Sequence, residues 1–292
     1  MKTRLTSPTV VRSTLARLGV HPNRTLGQNF LIDANVLGIV MAAAELQPGE
    51  HVLEVGPGLG VLTRALVEAG ASVVCIEKDA RLAGFLLEEF GTDRRVGVVQ
   101  GDALDRTVPL AEEHGAVKLV ANLPYSISSR LLAELVIRAL PLLRIVITVQ
   151  REVADRIVAE PGSRNYGLLS VWLQSRYVSR LVRRVKPTCF WPRPEVDSAI
   201  LLLTARPEGA VPGSGSDMFF RITKQAFAQR RKQLAGLLRR GAVSLPVAAA
   251  AVPALLQECE ISPSARAGDL SSVQWGRLVL RAVGGPGKSK IT

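Results

Sequence analysis

EVGPGLG, residues 54–60 (Glu54-Val55-Gly56-Pro57-Gly58-Leu59-Gly60), joins a short apolar run to a helical pattern. A sharp turn from a strand into a helix needs glycine, because the backbone takes unusual dihedral angles there and approaches a ligand closely. Glu77 ends the next apolar run, 21 residues after Gly56. A carboxylate at that place can accept hydrogen bonds from both hydroxyls of a ribose. The loop and the acid together predict a site for a cofactor that contains a nucleoside.

The spacing of the glycines favours S-adenosylmethionine over a nicotinamide dinucleotide. The dinucleotide fingerprint GxGxxG needs its third glycine at position 61, which is Val61, whereas this loop has GxGxG. Pro57 also has no amide hydrogen to offer a pyrophosphate. An ordinary tight turn is the alternative, and the surrounding strand, helix and acid weigh against it. Asp102, in Gly101-Asp102-Ala103, can accept a hydrogen bond from the exocyclic amine of an adenine, although Gly-Asp is also common in turns.

Apolar runs alternate with helical patterns through most of the chain. The predicted strands are His51–Val55, Ser72–Glu77, Val96–Val99, Val117–Ala121, Arg144–Val149 and Ser198–Thr204. The predicted helices are 7–19, Asp33–Gln47, Leu59–Ala69, Asp79–Phe90 and Ser128–Leu140. Residues 177–186 are ambiguous, because Arg180, Arg183 and Arg184 interrupt their pattern. Apolar strands separated by helices predict an α/β fold with a Rossmann-like parallel sheet, the class I methyltransferase arrangement if the cofactor is S-adenosylmethionine.

NLPY, residues 122–125, comes just after the fourth predicted strand, where an open α/β sheet binds its ligands. An exocyclic aromatic amine is a poor nucleophile, since its lone pair is delocalised into the ring. The Asn122 side-chain carbonyl and the Leu123 backbone carbonyl can accept both amine hydrogens, while Pro124 stiffens the loop. Tyr125 can stack on the base, which a phenylalanine ring would also do. The alternative is a turn with an Asn cap and a packed tyrosine; beside the cofactor signals we predict a catalytic loop.

The C-terminal part has a different composition. PEGAVPGSGS, at 207–216, is rich in Gly, Pro and Ser and indicates a linker. The helical patterns beyond it cover 217–240, 246–258 and 268–283. We therefore predict a catalytic, cofactor-binding domain at 1–206, a linker at 207–216, a small all-helical RNA-binding domain at 217–283 and a flexible tail at 284–292.

The positive charge is concentrated in the second part of the chain. The 292 residues carry a formal net charge of +12; residues 1–160 hold 17 Lys/Arg and 18 Asp/Glu, whereas residues 161–292 hold 20 and 7. Two stretches, Pro161–Pro194 and Met218–Gln257, each have seven cations and no acid. A solvated helix face normally mixes both signs, so we predict that Arg230, Arg231 and Lys232 contact RNA phosphates. General basicity in an arginine-rich proteome is the alternative.

The composition also excludes several classes of protein. With 47% hydrophobic and 21% charged residues, the chain is expected to be globular and soluble. Its longest apolar candidate, Leu131–Val149, is interrupted by charges, and the N-terminus lacks the apolar segment of a signal peptide, so we expect a cytoplasmic protein without a membrane span. Three Cys without a CxxC and three scattered His predict neither a disulfide framework nor a metal site.

Several longer motifs resemble one family. They are LGQNFLID at 26–33, EVGPGLGVLT at 54–63, IEKD at 76–79, GDAL at 101–104, ANLPYSISS at 121–129, QREVADRI at 150–157, YGLLSV at 166–171, FWPRPEVDSAI at 190–200 and AFAQRRKQL at 226–234. From about Thr25 to about Leu280 the chain resembles the ribosomal RNA adenine N6-dimethyltransferases, most closely those of bacterial 16S ribosomal RNA. The resemblance implies S-adenosylmethionine-dependent dimethylation of N6 of adenosines, two adjacent ones, during ribosome biogenesis.

The resemblance also implies site residues that the pattern alone does not reveal. By this likeness Asn29 and Leu31 contact the cofactor, with Gln28 beside them. The other cofactor positions carried over are Gly56, Gly58, Glu77, Asp102 and Asn122. From the residues alone, Phe30 and Leu31 can equally be a hydrophobic staple for the following helix.

The expected partner is ribosomal RNA within a small-subunit particle, bound by a monomer. Three other functions stay open at this point: methylation of an adenine in 23S ribosomal RNA that confers antibiotic resistance, a non-catalytic RNA- or DNA-binding factor on the same fold, and a nicotinamide oxidoreductase. The C-terminal motifs AFAQRRKQL and SPSARAGDLSS favour the 16S group over the 23S group.

Overall fold

The computed structural model describes residues 6–22, 27–207 and 216–284. This part of the chain separates into two compact units. The first contains the described residues up to Ala154 together with Ser179–Ala205, and the second contains Asp155–Val178 together with the described residues from Arg206 onwards. No helix in the described ranges is both long and apolar enough to cross a membrane.

The first unit is built on a central sheet. Its strands are β1 Phe30–Leu31, β2 His51–Val55, β3 Ser72–Glu77, β4 Val96–Gln100, β5 Lys118–Asn122, β6 Arg144–Gln150, β7 Tyr177–Val185, β8 Phe190–Trp191 and β9 Ser198–Ala205. Seven of them form one sheet in the order β4-β3-β2-β5-β6-β9-β7, while β1 and β8 form a separate antiparallel pair. Strands β2 to β6 run parallel, and β9 runs antiparallel to β6. The α/β class predicted from the sequence is confirmed.

Three of the helices of this unit begin after an aspartate that caps them. The helix bounds are α1 Pro8–Arg17, α2 Ala34–Ala44, α3 Val61–Glu68, α4 Ala80–Phe90, α5 Ala103–Glu113, α6 Ser128–Ile137 and α7 Arg151–Ile157, of which only the residues up to Ala154 belong to this unit. Asp33, Asp79 and Asp102 precede α2, α4 and α5, and each carboxylate accepts hydrogen bonds from first-turn amides. These caps satisfy backbone donors that a helix leaves unpaired.

The strand order places a ligand crevice beside the glycine loop. Strand β2 has β3 on one side and β5 on the other, so the direction of the sheet's order reverses between β2 and β5. Ligands of such sheets bind outside the carboxyl ends of the strands at this switch point. The loop at 56–60 leaves the end of β2, and Asn122 ends β5. The two predicted motifs therefore meet at the same edge.

Most predicted strands and helices of this unit are confirmed to within a few residues. The ambiguous segment 177–186 is strand β7, at one edge of the sheet. Helices α5 and α7 were not predicted; α5 contains Pro109, a residue that is unusual inside a helix. The short strands β1 and β8 were not predicted either, because a strand of two residues is too short to show an alternating pattern.

The second unit is formed by helices. They are α8 Leu168–Arg176, α9 Ser216–Ala228, α10 Leu234–Arg239, α11 Val252–Glu258 and α12 Ser272–Gly284. The single predicted helix 217–240 is wrong: it is α9 and α10 with a turn between them. The backbone of Gln233 pairs with that of Arg266, and the Leu234 amide donates to the Ala265 carbonyl at 2.8 Å. These pairings within the unit end the first helix, and helical periodicity does not reveal them.

Residues 155–178 group with the C-terminal helices, although the sequence analysis placed them in the domain 1–206. Trp172 of α8 donates from Nε1 to Thr223 Oγ1 at 2.9 Å and packs edge-on against Phe220, with ring centroids 5.4 Å apart. The Tyr166 hydroxyl donates to the Leu270 carbonyl at 3.0 Å. The predicted linker 207–216 and tail 284–292 lie outside the described residues except at their ends, so the predicted domain limits stay predictions.

Candidate active site

A cavity of about 300 Å³ lies at the carboxyl ends of the central strands. Residues from three loops and from the segment before α2 line it. Among the lining residues are these predicted site residues: Gln28, Asn29, Leu31, Gly56, Gly58, Glu77, Asp102, Asn122 and Pro124. The fold therefore brings residues nearly 100 positions apart in the sequence around one space.

The glycine loop allows two neighbouring segments to approach it closely. Gly56, Gly58 and Gly60 have φ of +69°, +59° and +75°, a region that side chains disfavour. A Cβ on Gly56 would lie 3.0 Å from the Pro124 ring, and a Cβ on Gly58 would lie 3.0 Å from the Phe30 ring. The absence of side chains thus lets the NLPY loop and the β1 segment close on the cavity.

Glu77 is held in a fixed orientation at the end of β3. Its side chain is buried, with Oε2 accepting from the Gly58 amide at 3.1 Å and Oε1 accepting from the Asp79 amide at 2.9 Å. Burial raises the pKa of this carboxyl. A carboxylate has about four acceptor positions, so two remain for hydroxyl donors of a ligand.

Glu54 is a second buried acid in the cavity wall, and its role was not predicted from the sequence. It is 1% exposed and accepts a hydrogen bond from Thr63 Oγ1 of α3 at 2.6 Å. Burial, together with the nearby Glu77 carboxyl, raises its pKa from 4.5 to about 8. The Glu54–Thr63 bond ties the strand before the glycine loop to the helix after it.

Asp102 has structural partners as well as a place in the cavity wall. It accepts from the Leu104 amide at 2.9 Å as the cap of α5, and from Lys78 Nζ at 2.8 Å. The hydrogen bond from Lys78 holds the pKa of this carboxyl below its usual value. The group is therefore a charged acceptor fixed at the cavity edge.

Asn122 presents an unpaired acceptor. Its Nδ2 donates to the Asn29 backbone carbonyl at 2.9 Å, which defines the orientation of the amide. Its Oδ1 is buried and has no hydrogen-bond partner in the part of the chain that the structure describes. Buried acceptors are almost always paired in native proteins, and an orphan is the kind of group that a bound donor satisfies.

The other two residues of the NLPY loop lie outside the cavity lining. Leu123 is buried, and its amide donates to the Thr148 carbonyl at 3.1 Å. The Tyr125 hydroxyl shares a 2.5 Å hydrogen bond with Ser198 Oγ of β9, and burial raises the tyrosine pKa. The sequence does not reveal Ser198 as the partner of Tyr125, because 73 residues separate the two.

Strands β1 and β8 hold the N-terminal wall of the cavity. Phe30 pairs with Trp191 and Leu31 with Phe190. Phe30 also belongs to an apolar cluster with Leu15 of α1, against which Trp191 packs. Phe30 and Leu31, for which a hydrophobic staple was one possibility, form strand β1 of this pair. Both residues also line the cavity.

The basic triplet of the second unit is not on a helix but in the turn between α9 and α10. All three side chains are exposed. Arg230 donates from Nη2 to the Arg164 carbonyl at 3.0 Å, so it also fastens the turn. For Arg231 and Lys232 no side-chain hydrogen bond or ion pair occurs within residues 6–22, 27–207 and 216–284.

The model of one protein family, ribosomal RNA adenine dimethylase, matches residues 19–277. The chain belongs to this family. Its members are S-adenosylmethionine-dependent enzymes that dimethylate adenine in ribosomal RNA. The resemblance stated from the sequence motifs is thereby confirmed.

Two curated relatives share one name. The ribosomal RNA small subunit methyltransferase A of Opitutus terrae is 42% identical over 240 residues, which cover 80% of this chain and 84% of the relative. The protein of that name from Streptococcus uberis is 35% identical over 288 residues, covering 96% and 99%.

Solved structures agree on the fold. A dimethyladenosine transferase from Plasmodium falciparum superposes with a TM-score of 0.74 at 24% identity, covering 86% of this chain and 96% of the other. The 23S rRNA methyltransferase ErmE superposes with a TM-score of 0.66 at 27% identity, covering 87% and 100%.

Proposed function

We propose that this chain transfers methyl groups from S-adenosylmethionine to N6 of adenosines, two adjacent ones, in 16S ribosomal RNA. The buried, unpaired Asn122 Oδ1 beside the cavity is the observation that carries the proposal. An amine donor of the substrate supplies the hydrogen bond that this acceptor lacks. The relatives that share 35–42% of their residues with the chain act, by name, on the small ribosomal subunit.

The residues of the cavity fit S-adenosylmethionine. Glu77 has acceptor positions left for the two ribose hydroxyls, and Asp102 can accept from the adenine amine. Gly56 and Gly58 let the backbone of the loop lie close to the cofactor, and Gln28, Asn29 and Leu31 also line the cavity. When bound, the cofactor supplies an activated methyl group on a sulfonium, so the protein needs to provide neither a metal nor a covalent nucleophile.

The catalytic contribution of the chain is to hold and polarise the target amine. Asn122 Oδ1 and the Leu123 carbonyl accept the two amine hydrogens, which makes the nitrogen more tetrahedral and more nucleophilic. These interactions strengthen as positive charge develops on the nitrogen, so they stabilise the transition state more than the bound substrate. Pro124 limits the motion of the loop, and Tyr125 stacks on the base.

The RNA footprint is proposed to lie on the basic segments. Arg231 and Lys232 have free charges in an exposed turn, and the edge strand β7 carries Arg180, Arg183 and Arg184 on exposed positions. Cations of this kind contact phosphates without reading sequence. We further propose that the protein acts as a cytoplasmic monomer on a small-subunit particle.

A 23S ribosomal RNA target is the second candidate, since the ErmE structure resembles this chain at 27% identity. Tritiated methyl transfer to both subunits from a methylation-deficient strain, followed by nucleoside analysis, separates the two. We expect label in dimethyladenosine of the small subunit. Label confined to the large subunit establishes the second candidate, and no label in either subunit contradicts both.

A further inference from the structure

Hydrogen bonds hold Tyr125 both at its backbone and at its hydroxyl. At its backbone, the carbonyl accepts from Ser128 Oγ at 3.2 Å, and the loop is closed by the Ile127 amide donating to the Pro124 carbonyl at 3.2 Å. At its far end, the hydroxyl shares the 2.5 Å hydrogen bond with Ser198 Oγ. A phenol tied at the hydroxyl cannot swing about χ1 without losing that bond.

Ser198 is a rigid anchor for this bond. It is fully buried and is the first residue of β9, in register with Gln150 at the end of β6. Seven consecutive residue pairs join β6 and β9, and the Arg151 amide donates to the Asp197 carbonyl at 2.9 Å just beyond them. The serine position is therefore set by the central sheet and not by the loop that it holds.

We propose that Ser198 is a positioning residue that fixes the direction of the Tyr125 side chain, and so the place of its ring, for the incoming adenine. The proposal rests on the function proposed above, in which Tyr125 stacks on the target base. A ring held in its working orientation before the base arrives spares the cost of ordering it during binding and reaction. Ser198 itself touches neither cofactor nor base, since it is fully buried and has no exposed surface to offer them.

This role predicts a measurable contribution of the Tyr125 hydroxyl, whereas the sequence suggests only that a phenylalanine keeps the stacking face and has a mild effect. Ser198→Ala and Tyr125→Phe each remove one partner of the same bond. We expect each to slow single-turnover methylation of saturating RNA about three- to tenfold, the range of one ordinary hydrogen bond. The double variant is expected to be no slower than the slower single variant, because the bond can be lost only once.

The experiment compares wild type, the two single variants and the double variant in one single-turnover assay. Calorimetry with S-adenosylmethionine and thermal melts accompany it, and unchanged cofactor affinity is expected in all four proteins. Tyr166→Phe is the matched control, since it removes a buried tyrosine hydroxyl that donates to the Leu270 carbonyl within the second unit. It is expected to lower the melting temperature without changing the methylation rate.

Two results would overturn the inference while leaving the proposed function intact. One is wild-type speed in a folded Ser198→Ala variant. The other is multiplication of the two single effects in the double variant, which would show that serine and tyrosine act independently. Failure of the wild-type chain to methylate either RNA is a different outcome, because it contradicts the proposed function itself.

Discussion

At the scale of single residues, a contact with the distant Asn29 orients the side-chain amide of Asn122, the proposed catalytic group. Its Nδ2 donates to the Asn29 carbonyl, so the side-chain amide cannot flip by 180° without losing this hydrogen bond. The oxygen is left as the acceptor. Asn29 thus acts through its backbone, a contribution that side-chain identity does not reveal.

We expect Asn122→Ala to lower the single-turnover rate by about a hundredfold or more, as loss of one preorganised polar group does in other enzymes. RNA affinity should change little, because the interaction is strongest in the transition state. Asn35→Ala, on the exposed first turn of α2, is the control. If Asn122 is only a turn cap, the melting temperature will fall and the rate of the folded fraction will not.

The buried Glu54 predicts a pH-dependent stability. The pKa of its carboxyl is about 8 in the folded chain, against an ordinary value of 4.5. Burial and the Glu77 carboxyl disfavour the charged form more than the hydrogen bond from Thr63 stabilises it. Between these values the folded chain binds more protons than the unfolded chain, so its free energy of unfolding falls as pH rises. Glu54→Gln removes this contribution and should stabilise the protein more, relative to wild type, at pH 8 than at pH 5.

Urea unfolding at the two pH values measures this difference. Glu88→Gln, an exposed acid on α4, serves as the control and should show no such trend. An equal effect of Glu54→Gln at pH 5 and pH 8 would mean that the carboxyl is ionised in the folded protein throughout this range.

At the scale of elements, the glycine loop works through the segments packed against it. Gly58→Ala puts a Cβ at a φ of +59° and 3.0 Å from the Phe30 ring, so it strains the backbone and pushes β1 from the cavity. Gly49→Ala has a comparable φ of +81° but no atom within 4 Å. Comparing the two variants therefore separates the effect of backbone strain, which both share, from the effect of displacing Phe30, which only Gly58→Ala causes.

We expect both glycine variants to lose about 1–2 kcal/mol of stability from the left-handed backbone. Only Gly58→Ala should also weaken S-adenosylmethionine binding, by about tenfold or more in calorimetry. Equal cofactor affinities of the two folded variants would show that the Phe30 contact does not shape the site.

At the scale of the whole molecule, charge is divided along the chain: residues 1–160 are nearly neutral and residues 161–292 are strongly basic. Replacing Arg231 and Lys232 by Ala removes two free cations, whereas Arg230 also supports the turn through the Arg164 carbonyl. We expect the double variant to bind RNA more weakly. Its log–log salt slope should be shallower by about 1.4, about 0.7 for each lost contact to single-stranded RNA.

The charge-matched control replaces Arg94 and Arg138 of the first unit by Ala, and its salt slope should stay near that of wild type. Filter binding over a range of salt concentrations measures both slopes. Equal slopes for all three proteins would place the RNA footprint elsewhere on the surface. Arg230→Ala alone should lower the melting temperature.

The sequence by itself determined most strands of the central sheet and many residues of the cavity. Strands such as His51–Val55 and Ser72–Glu77 are buried on both faces, so they read as continuous apolar runs whatever surrounds them. The glycine loop and Glu77 can also be recognised from short stretches of sequence. Each comes at the end of a predicted strand, and ligands of such a sheet bind at the carboxyl ends of its strands. The chain's long motifs then sufficed to name the family.

Only the tertiary structure decided the contacts between distant segments. The orientation of Asn122 depends on Asn29, the fixing of Tyr125 on Ser198, and the pKa of Glu54 on its burial beside Thr63 and Glu77. The turn that divides α9 from α10 depends likewise on Arg266 and Ala265. Periodicity and propensity report how a segment meets a generic interior, whereas hydrogen bonds between segments depend on which groups the fold brings within about 3 Å.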